Sequence, residues 1–210
     1  DIEISLPIKR LTYKEAMERY GSDKPDTRFD MEIQDISSLV KDCGFGVFTS
    51  AIEAGGSVRA IVAKNGAKVL TRKEIDKLTE MVRGIGAKGL AYVRWVDEKP
   101  TCSFAKFMTE DELSSILDAI DCKQGDVALI IADKNKVTLP VLGALRLQVA
   151  KQLDIIPENQ FNFLWITEFP FFEWDEESQT WLAMHHPFTM PLDDCIQYLD
   201  TAPEKVIAKA

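Results

Sequence analysis

Trp181-Leu182-Ala183-Met184-His185-His186-Pro187-Phe188-Thr189 is the stretch around which the chain is organised, because it holds both histidines of the 210 residues. Upstream, residues 163–173 form a run rich in aromatic and β-branched side chains, which are typical of strands. The polar segment 175–178 between the two runs predicts a turn, so we expect an antiparallel hairpin. Adjacent residues on a strand point to opposite faces, so if the extended path continues into the pair, only one of His185 and His186 can face a given pocket.

The histidine pair permits several chemical interpretations from the residues alone. A metal site, a general base pair or a clamp for an amino acid would each use imidazole groups. A metal site is disfavoured, because neighbouring strand residues diverge and no Cys/His cluster is near in sequence. A buried, hydrogen-bonded histidine without a special role is the plainer interpretation at this point.

Composition indicates an ordinary globular protein, with 46% hydrophobic and 28% charged residues. No apolar run approaches the roughly 20 residues of a membrane span. A net charge of −9 argues against a general nucleic-acid binder, although a local contact stays possible. The cysteines at positions 43, 102, 122 and 195 are scattered, which predicts reduced thiols in a cytoplasmic protein. The chain begins without methionine and ends without a terminating signal, so we expect both ends to be cut.

Three capping boxes predict helices that begin after Thr12, Thr71 and Thr109, because each threonine is followed three residues later by glutamate. Further helices are predicted at 37–43 and at 137–153, with Pro140 in the first turn of the latter. The segment 126–132 is nearly all apolar, which predicts a central strand covered on both faces. The other strand candidates are 30–36, 45–50, 58–63 and 89–95. This mixture predicts an α+β unit over residues 30–156, with helices on one face of a sheet.

One stretch of the acidic chain is locally basic. Residues 58–88 hold eight lysine and arginine residues against three acidic ones. A solvated helix face with salt bridges is the plainer interpretation. The sharper alternative is a small basic patch that meets RNA or a partner, but no aromatic residues suited to base stacking accompany it.

Two separate motifs carry a resemblance to a known family. Ala183-Met184-His185-His186-Pro187-Phe188-Thr189, after a Leu-Trp-Ile-x-x-Phe-Pro-x-Phe strand, resembles bacterial-type aspartyl-tRNA synthetases of class II. Tyr20-Gly21-Ser22-Asp23-Lys24-Pro25-Asp26-Thr27-Arg28 is similar to a second segment of the same enzymes. The residues between them resemble the GAD domain, which is inserted in those enzymes and shared with a tRNA-dependent amidotransferase subunit. The resemblance covers essentially the whole chain, yet the chain covers only the middle of such an enzyme.

The resemblance implies an organisation and an activity. The fold would be α+β, with a two-layer GAD-type insertion domain at 30–156 and slices of a class II antiparallel-sheet catalytic core at 1–29 and 157–210. The parent enzyme would be a cytoplasmic homodimer, not attached to a membrane, that uses ATP and Mg²⁺. It would activate L-aspartate with ATP and transfer it to tRNA(Asp).

The same resemblance implies roles for individual residues. His185 would contact the bound L-aspartate, with His186 as a supporting neighbour. Lys24 and Arg28 would lie beside the active site, within reach of phosphates of tRNA or ATP. We expect no catalytic residue, metal ligand or bound cofactor within this piece, and no activity from it alone. The alternatives are a non-catalytic GAD-type module that binds tRNA or protein, and a free-standing α+β protein of unrelated activity.

Overall fold

The computed structural model describes residue 4, residues 6–184 and residues 189–209. The strands in chain order are β1 (Lys9–Thr12), β2 (Gln34–Asp35), β3 (Ser57–Ala63), β4 (Ala91–Arg94), β5 (Thr101–Cys102), β6 (Val127–Asp133), β7 (Leu164–Thr167), β8 (Phe172–Asp175) and β9 (Thr180–Ala183). The α-helices in chain order are α1 (Tyr13–Tyr20), α2 (Ser37–Val40), α3 (Gly46–Glu53), α4 (Arg72–Gly84), α5 (Glu110–Ala119) and α6 (Asn135–Gln152). The described residues contain no helix that is long and apolar enough to cross a membrane.

The chain divides into two compact units, one formed by residues 18–161 and the other by residues 1–17 together with 162–210. These limits describe how the chain packs. The boundaries at 30 and 156 that the resemblance implies for an inserted domain stay a prediction. Both units mix helices with strands, and the predicted α+β class is confirmed.

The larger unit is built on a five-stranded antiparallel sheet in the order β2-β3-β6-β4-β5. β6 lies at its centre and is buried along almost its whole length, as its continuous apolar sequence predicts. The rings of Phe45, Phe48 and Phe104 pack together beside the sheet, with centroids 4.8–5.6 Å apart. Phe48 and Phe104 are almost fully buried, so this aromatic cluster is a central part of the core.

The smaller unit corrects the prediction of one long strand over residues 163–173. That run forms two strands, because Glu168 adopts a positive φ of 58° and breaks the extended path. β7 pairs in parallel with β1, and β8 alone forms the predicted antiparallel hairpin with β9. Near the end of the chain, residues Asp193–Tyr198 form a 3₁₀ helix.

Local sequence signals predict the starts of helices but misplace several other elements. The capping boxes at Thr12 and Thr109 are confirmed by reciprocal hydrogen bonds with the glutamate three residues later. The strand predicted at 45–50 is wrong, because α3 forms there and places Phe48 and Ile52, one helical turn apart, against the core. Pro140 is not in the first turn, since α6 begins two residues earlier than predicted and the proline is interior. The strand predicted at 30–36 shortens to β2.

The aromatic cluster generates a stability prediction for the larger unit. Phe104→Ala removes a fully buried ring and leaves a cavity, so we expect it to lower the free energy of unfolding by about 3–5 kcal/mol. Phe107→Ala is the matched control, because Phe107 stacks on Phe45 but is 48% exposed. Its expected cost is less than half as large. Urea unfolding measures both, and equal losses would contradict the assignment of the core.

Candidate functional site

The predicted aspartate-binding residue, His185, and its supporting neighbour, His186, follow the β8–β9 hairpin in sequence, but both lie outside the described residues. The hairpin is held by cross-strand pairs that include Trp174 and Trp181, whose ring centroids are 5.4 Å apart. The amide of Met184 donates to the carbonyl of Phe171 at 3.1 Å, so the chain is fixed up to that residue.

The chain is fixed again just beyond the histidines. The carbonyl of Met190 accepts a hydrogen bond from the amide of Lys209 at 2.8 Å, and the amide of Leu192 donates to Ile207 at the same distance. Pro191 and Ala208 form a β-bridge between these bonds. The smaller unit therefore anchors the described residues on both sides of the histidine pair.

The loop after α1 carries the two predicted supporting cations, and the structure gives them different environments. The side chain of Lys24 is 87% exposed, and its ammonium lies 3.6 Å from Asp23. The guanidinium of Arg28 instead donates to both carboxylate oxygens of Asp26, at 3.0 and 2.7 Å, and to the carbonyl of Pro157 at 3.3 Å. This pairing lowers the pKa of Asp26 and raises the pKa of Arg28. Lys24 presents its charge to solvent, whereas Arg28 is held by its own loop.

A second charged cluster ties the end of α1 to the following segment. The guanidinium of Arg19 donates two hydrogen bonds to the carboxylate of Glu32, at 2.8 and 2.6 Å, and the hydroxyl of Tyr20 donates a third at 3.0 Å. Hydrogen bonding by Arg19, with a smaller contribution from Tyr20, holds the pKa of Glu32 below its usual value. Burial and the neighbouring Glu32 raise the pKa of Tyr20.

The basic stretch over residues 58–88 is largely accounted for by ion pairs. Arg59 pairs with Asp35, Lys64 with Asp121 and Asp126, Lys77 with Glu74, Arg83 with Glu80, and Lys88 with Asp133. A cavity of about 610 Å³ lies between α3, α4 and the sheet, and two of these cations line it. The salt-bridged interpretation therefore describes most of the stretch.

The acidic, cysteine and histidine side chains of the described residues do not gather into a metal site. Within residues 6–184 and 189–209, no group of three or more His, Cys, Asp or Glu side chains is arranged to hold a metal ion. The four cysteines are free thiols, and burial raises the pKa of Cys122 to about 12 and that of Cys102 to about 11.

Sequence reasoning missed one prominent residue in this region, Arg146 of α6, which is 1% exposed. Its signal was its position: Leu142 and Val149 lie about one helical turn on either side, so the arginine falls on the apolar stripe of the helix. A charged residue at such a position is rarely buried without a partner. The partners themselves lie more than a hundred residues away in sequence, so no local pattern identifies them.

Comparison with known proteins first defines the class of the larger unit. The GAD domain family matches residues 48–142, so the chain contains a GAD domain.

Over its whole length the chain is similar to bacterial aspartate–tRNA ligases. It is 56% identical to the aspartate–tRNA(Asp/Asn) ligase of Lachnoclostridium phytofermentans, 53% to the aspartate–tRNA ligase of Agathobacter rectalis and 50% to the aspartate–tRNA(Asp/Asn) ligase of Bacillus cytotoxicus. All of this chain is matched in each case, but only 35%, 35% and 36% of the respective relative. The resemblance indicated by the two sequence motifs is confirmed, and the chain spans about a third of the length of these relatives.

The Arg19–Glu32–Tyr20 cluster predicts part of the pH dependence of stability. Because the pKa of Glu32 is lower in the folded chain, its contribution is fully present above the unfolded value near 4.5 and is lost as pH falls through the folded value. Glu32→Gln should therefore lower the melting temperature at pH 7 but narrow the difference between pH 7 and pH 3. Glu53→Gln on α3 is the control. An unchanged difference for Glu32→Gln would contradict the role of the cluster.

Proposed function

We propose that this chain is part of a ligase that activates L-aspartate with ATP and joins it to tRNA(Asp). The observation that carries the proposal is 50–56% identity along the whole chain to proteins named as aspartate–tRNA ligases. The names of these relatives differ on whether tRNA(Asn) is also a substrate, so aspartate is the substrate that they share. The organisation of the chain supports the proposal, because the GAD domain and the hairpin before the histidine pair occur together.

In the proposed reaction, a carboxylate oxygen of aspartate attacks the α-phosphate of ATP and pyrophosphate leaves. A ribose hydroxyl at the tRNA terminus then attacks the carbonyl carbon of the aspartyl-adenylate, and AMP leaves. Negative charge builds on the phosphate in the first step, so cationic groups are needed around it. ATP, Mg²⁺, the tRNA, a homodimeric assembly and a cytoplasmic location belong to this proposal for the longer protein.

His185 is proposed to bind the aspartate substrate. An imidazole that donates a hydrogen bond suits a carboxylate, and either protonation state is reachable near pH 7. Two features support the assignment: β9 ends at Ala183, and the residues on both sides of the pair are fixed by backbone hydrogen bonds. His186 is proposed as a supporting neighbour.

Lys24 and Arg28 are proposed to have different roles in the loop after α1. The exposed ammonium of Lys24 is suited to meeting a phosphate of tRNA or ATP. Arg28 already holds Asp26 and the Pro157 carbonyl, so releasing it for a phosphate would cost those bonds. We assign Arg28 to the shape of the loop and Lys24 to the contact with phosphate.

The test is aspartate-dependent ATP–pyrophosphate exchange by this chain and by a longer chain extended to the length of the relatives. We expect the short chain to be silent and the longer one to be active. In the longer chain, His185→Ala should raise the KM for aspartate about 10- to 100-fold, as expected for a lost hydrogen bond to a charged group, with a smaller change in kcat. His186→Ala is the matched neighbour and should have a smaller effect.

Three results would count against this account. Exchange by the short chain would require an active site within it and would overturn the proposal that it is inactive alone. An unchanged KM for aspartate in His185→Ala would remove His185 from the binding site. Silence from a folded longer chain would reject the ligase and favour the alternative, a GAD-type module that binds tRNA or protein.

A further inference from the structure

Arg146 lies within α6, and its buried guanidinium converges on one short segment of backbone. Its Nε donates to the carbonyl of Met31 at 2.9 Å, and its terminal nitrogens donate to the carbonyls of Asp26 at 2.7 Å, Phe29 at 2.8 Å and Asp30 at 3.2 Å. The central carbon of the guanidinium lies over the ring of Phe29, 4.0 Å from the ring centroid. The charge is therefore satisfied by carbonyl dipoles and an aromatic face, without a carboxylate partner among these contacts.

The segment held by Arg146 has an irregular conformation that needs outside support. Met31 has a φ of 86°, which residues with a Cβ rarely adopt, and it is nonetheless buried. The carbonyls of residues 26–31 that face Arg146 belong to no strand, since β2 begins only at Gln34, so they do not pair in a β-ladder. Removing the guanidinium would leave buried acceptors without a donor.

Two further contacts tie the same parts of the chain together. Gly21, with a φ of 67°, lies so close to α6 that a Cβ there would overlap the carbonyl oxygen of Leu139. A Cβ on Gly143 would in turn lie 2.5 Å from the carbonyl oxygen of Gly21. Arg28 adds a hydrogen bond from the loop to Pro157, beyond the end of α6. The loop therefore contacts α6 and the segment after it at three points.

We propose that Arg146 is a positioning residue that clamps residues 21–31, and with them Lys24 and Arg28, onto α6. The held loop precedes the matched GAD domain at residues 48–142, and Arg146 follows it, so these contacts join the segment that leads into the domain to the segment that leaves it. The proposal that Arg146 holds residues 21–31 against α6 rests on the geometry alone. Its consequence for substrate binding rests on the proposed function, because it acts through the position of Lys24.

Limited trypsin digestion of the native chain tests whether Arg146 holds residues 21–31 against α6. The bond after Arg28 is a suitable reporter, because Arg28 is partly exposed whereas the next residue, Phe29, is buried. The neighbouring bond after Lys24 is resistant in any case, since proline follows. We expect Arg146→Met to accelerate cleavage after Arg28 by about 10-fold or more, because a local opening exposes the bond.

Two other variants make this digestion decisive. Arg94→Met is the matched control, because Arg94 also donates to backbone carbonyls in the same unit, those of Ala67 and Leu70. It should leave the rate after Arg28 unchanged. Arg146→Lys keeps the charge but cannot reach four carbonyls, so it should give an intermediate rate even if the methionine variant does not fold. Wild-type rates after Arg28 in Arg146→Lys and in any folded Arg146→Met would overturn the clamp, and so would equal acceleration at every site.

The kinetics of ATP–pyrophosphate exchange in the longer chain test separately whether the clamp affects substrate binding. Arg146→Lys should raise the KM for ATP about 3- to 10-fold with a smaller change in kcat. The reason is that the variant displaces the contact of Lys24 with phosphate but leaves the reacting groups in place. Arg94→Met should leave both unchanged. An accelerated digestion with unchanged kinetics would overturn the positioning role. An accelerated digestion when even the wild-type longer chain shows no exchange would reject the proposed function and leave the clamp standing.

Discussion

A guanidinium removed from water loses several kcal/mol of hydration, and at Arg146 that loss is offset because four backbone carbonyls converge on it. Burial lowers the pKa of this arginine, but the group starts so far above neutrality that it stays charged. The arginine and the loop depend on each other. The arginine needs the carbonyls of residues 26–31, and those carbonyls need the arginine, because Met31 holds a backbone conformation that it would not adopt alone. The shape of the loop is thus a tertiary property of the larger unit.

The contacts of Arg146 join the chain segments before and after the GAD domain. The family match ends at residue 142, yet α6 continues to Gln152 and its second half carries Arg146. The compact unit likewise begins at residue 18, well before the match. Segments before and after the GAD domain therefore fold together with it, as one unit. In the proposed ligase, this would let the domain determine how the loop with Lys24 is presented, even though the proposed aspartate-binding residue, His185, lies outside the domain in sequence.

The sequence predicts those parts of the fold that depend on local chemistry. The capping boxes mark helix starts, and the apolar run of β6 identifies the central strand. Prediction from the sequence fails where packing overrides propensity, as at α3. The β-prone residues there form a helix, because Phe48 and Ile52 then face the core. It also fails where one residue breaks a run, as Glu168 does. For the site, the motifs identify the family, but Arg146 is defined by distant partners that no local pattern contains. The role of His185 stays a prediction, since it lies outside the described residues.

Hydrogen exchange of the unmodified chain, followed by mass spectrometry, tests most directly the claim that residues 21–31 are clamped onto α6. The amide of Ile33 donates to the carbonyl of Arg19 at 2.8 Å, and the amide of Arg28 donates to Asp26 at 3.0 Å, so both report on the loop and its far end. The account predicts that peptides covering residues 26–34 exchange slowly, within about tenfold of peptides from α6, because they open only together with that helix. Exchange of residues 26–34 at the rate of an unstructured chain, while α6 and β6 stay protected, would contradict it.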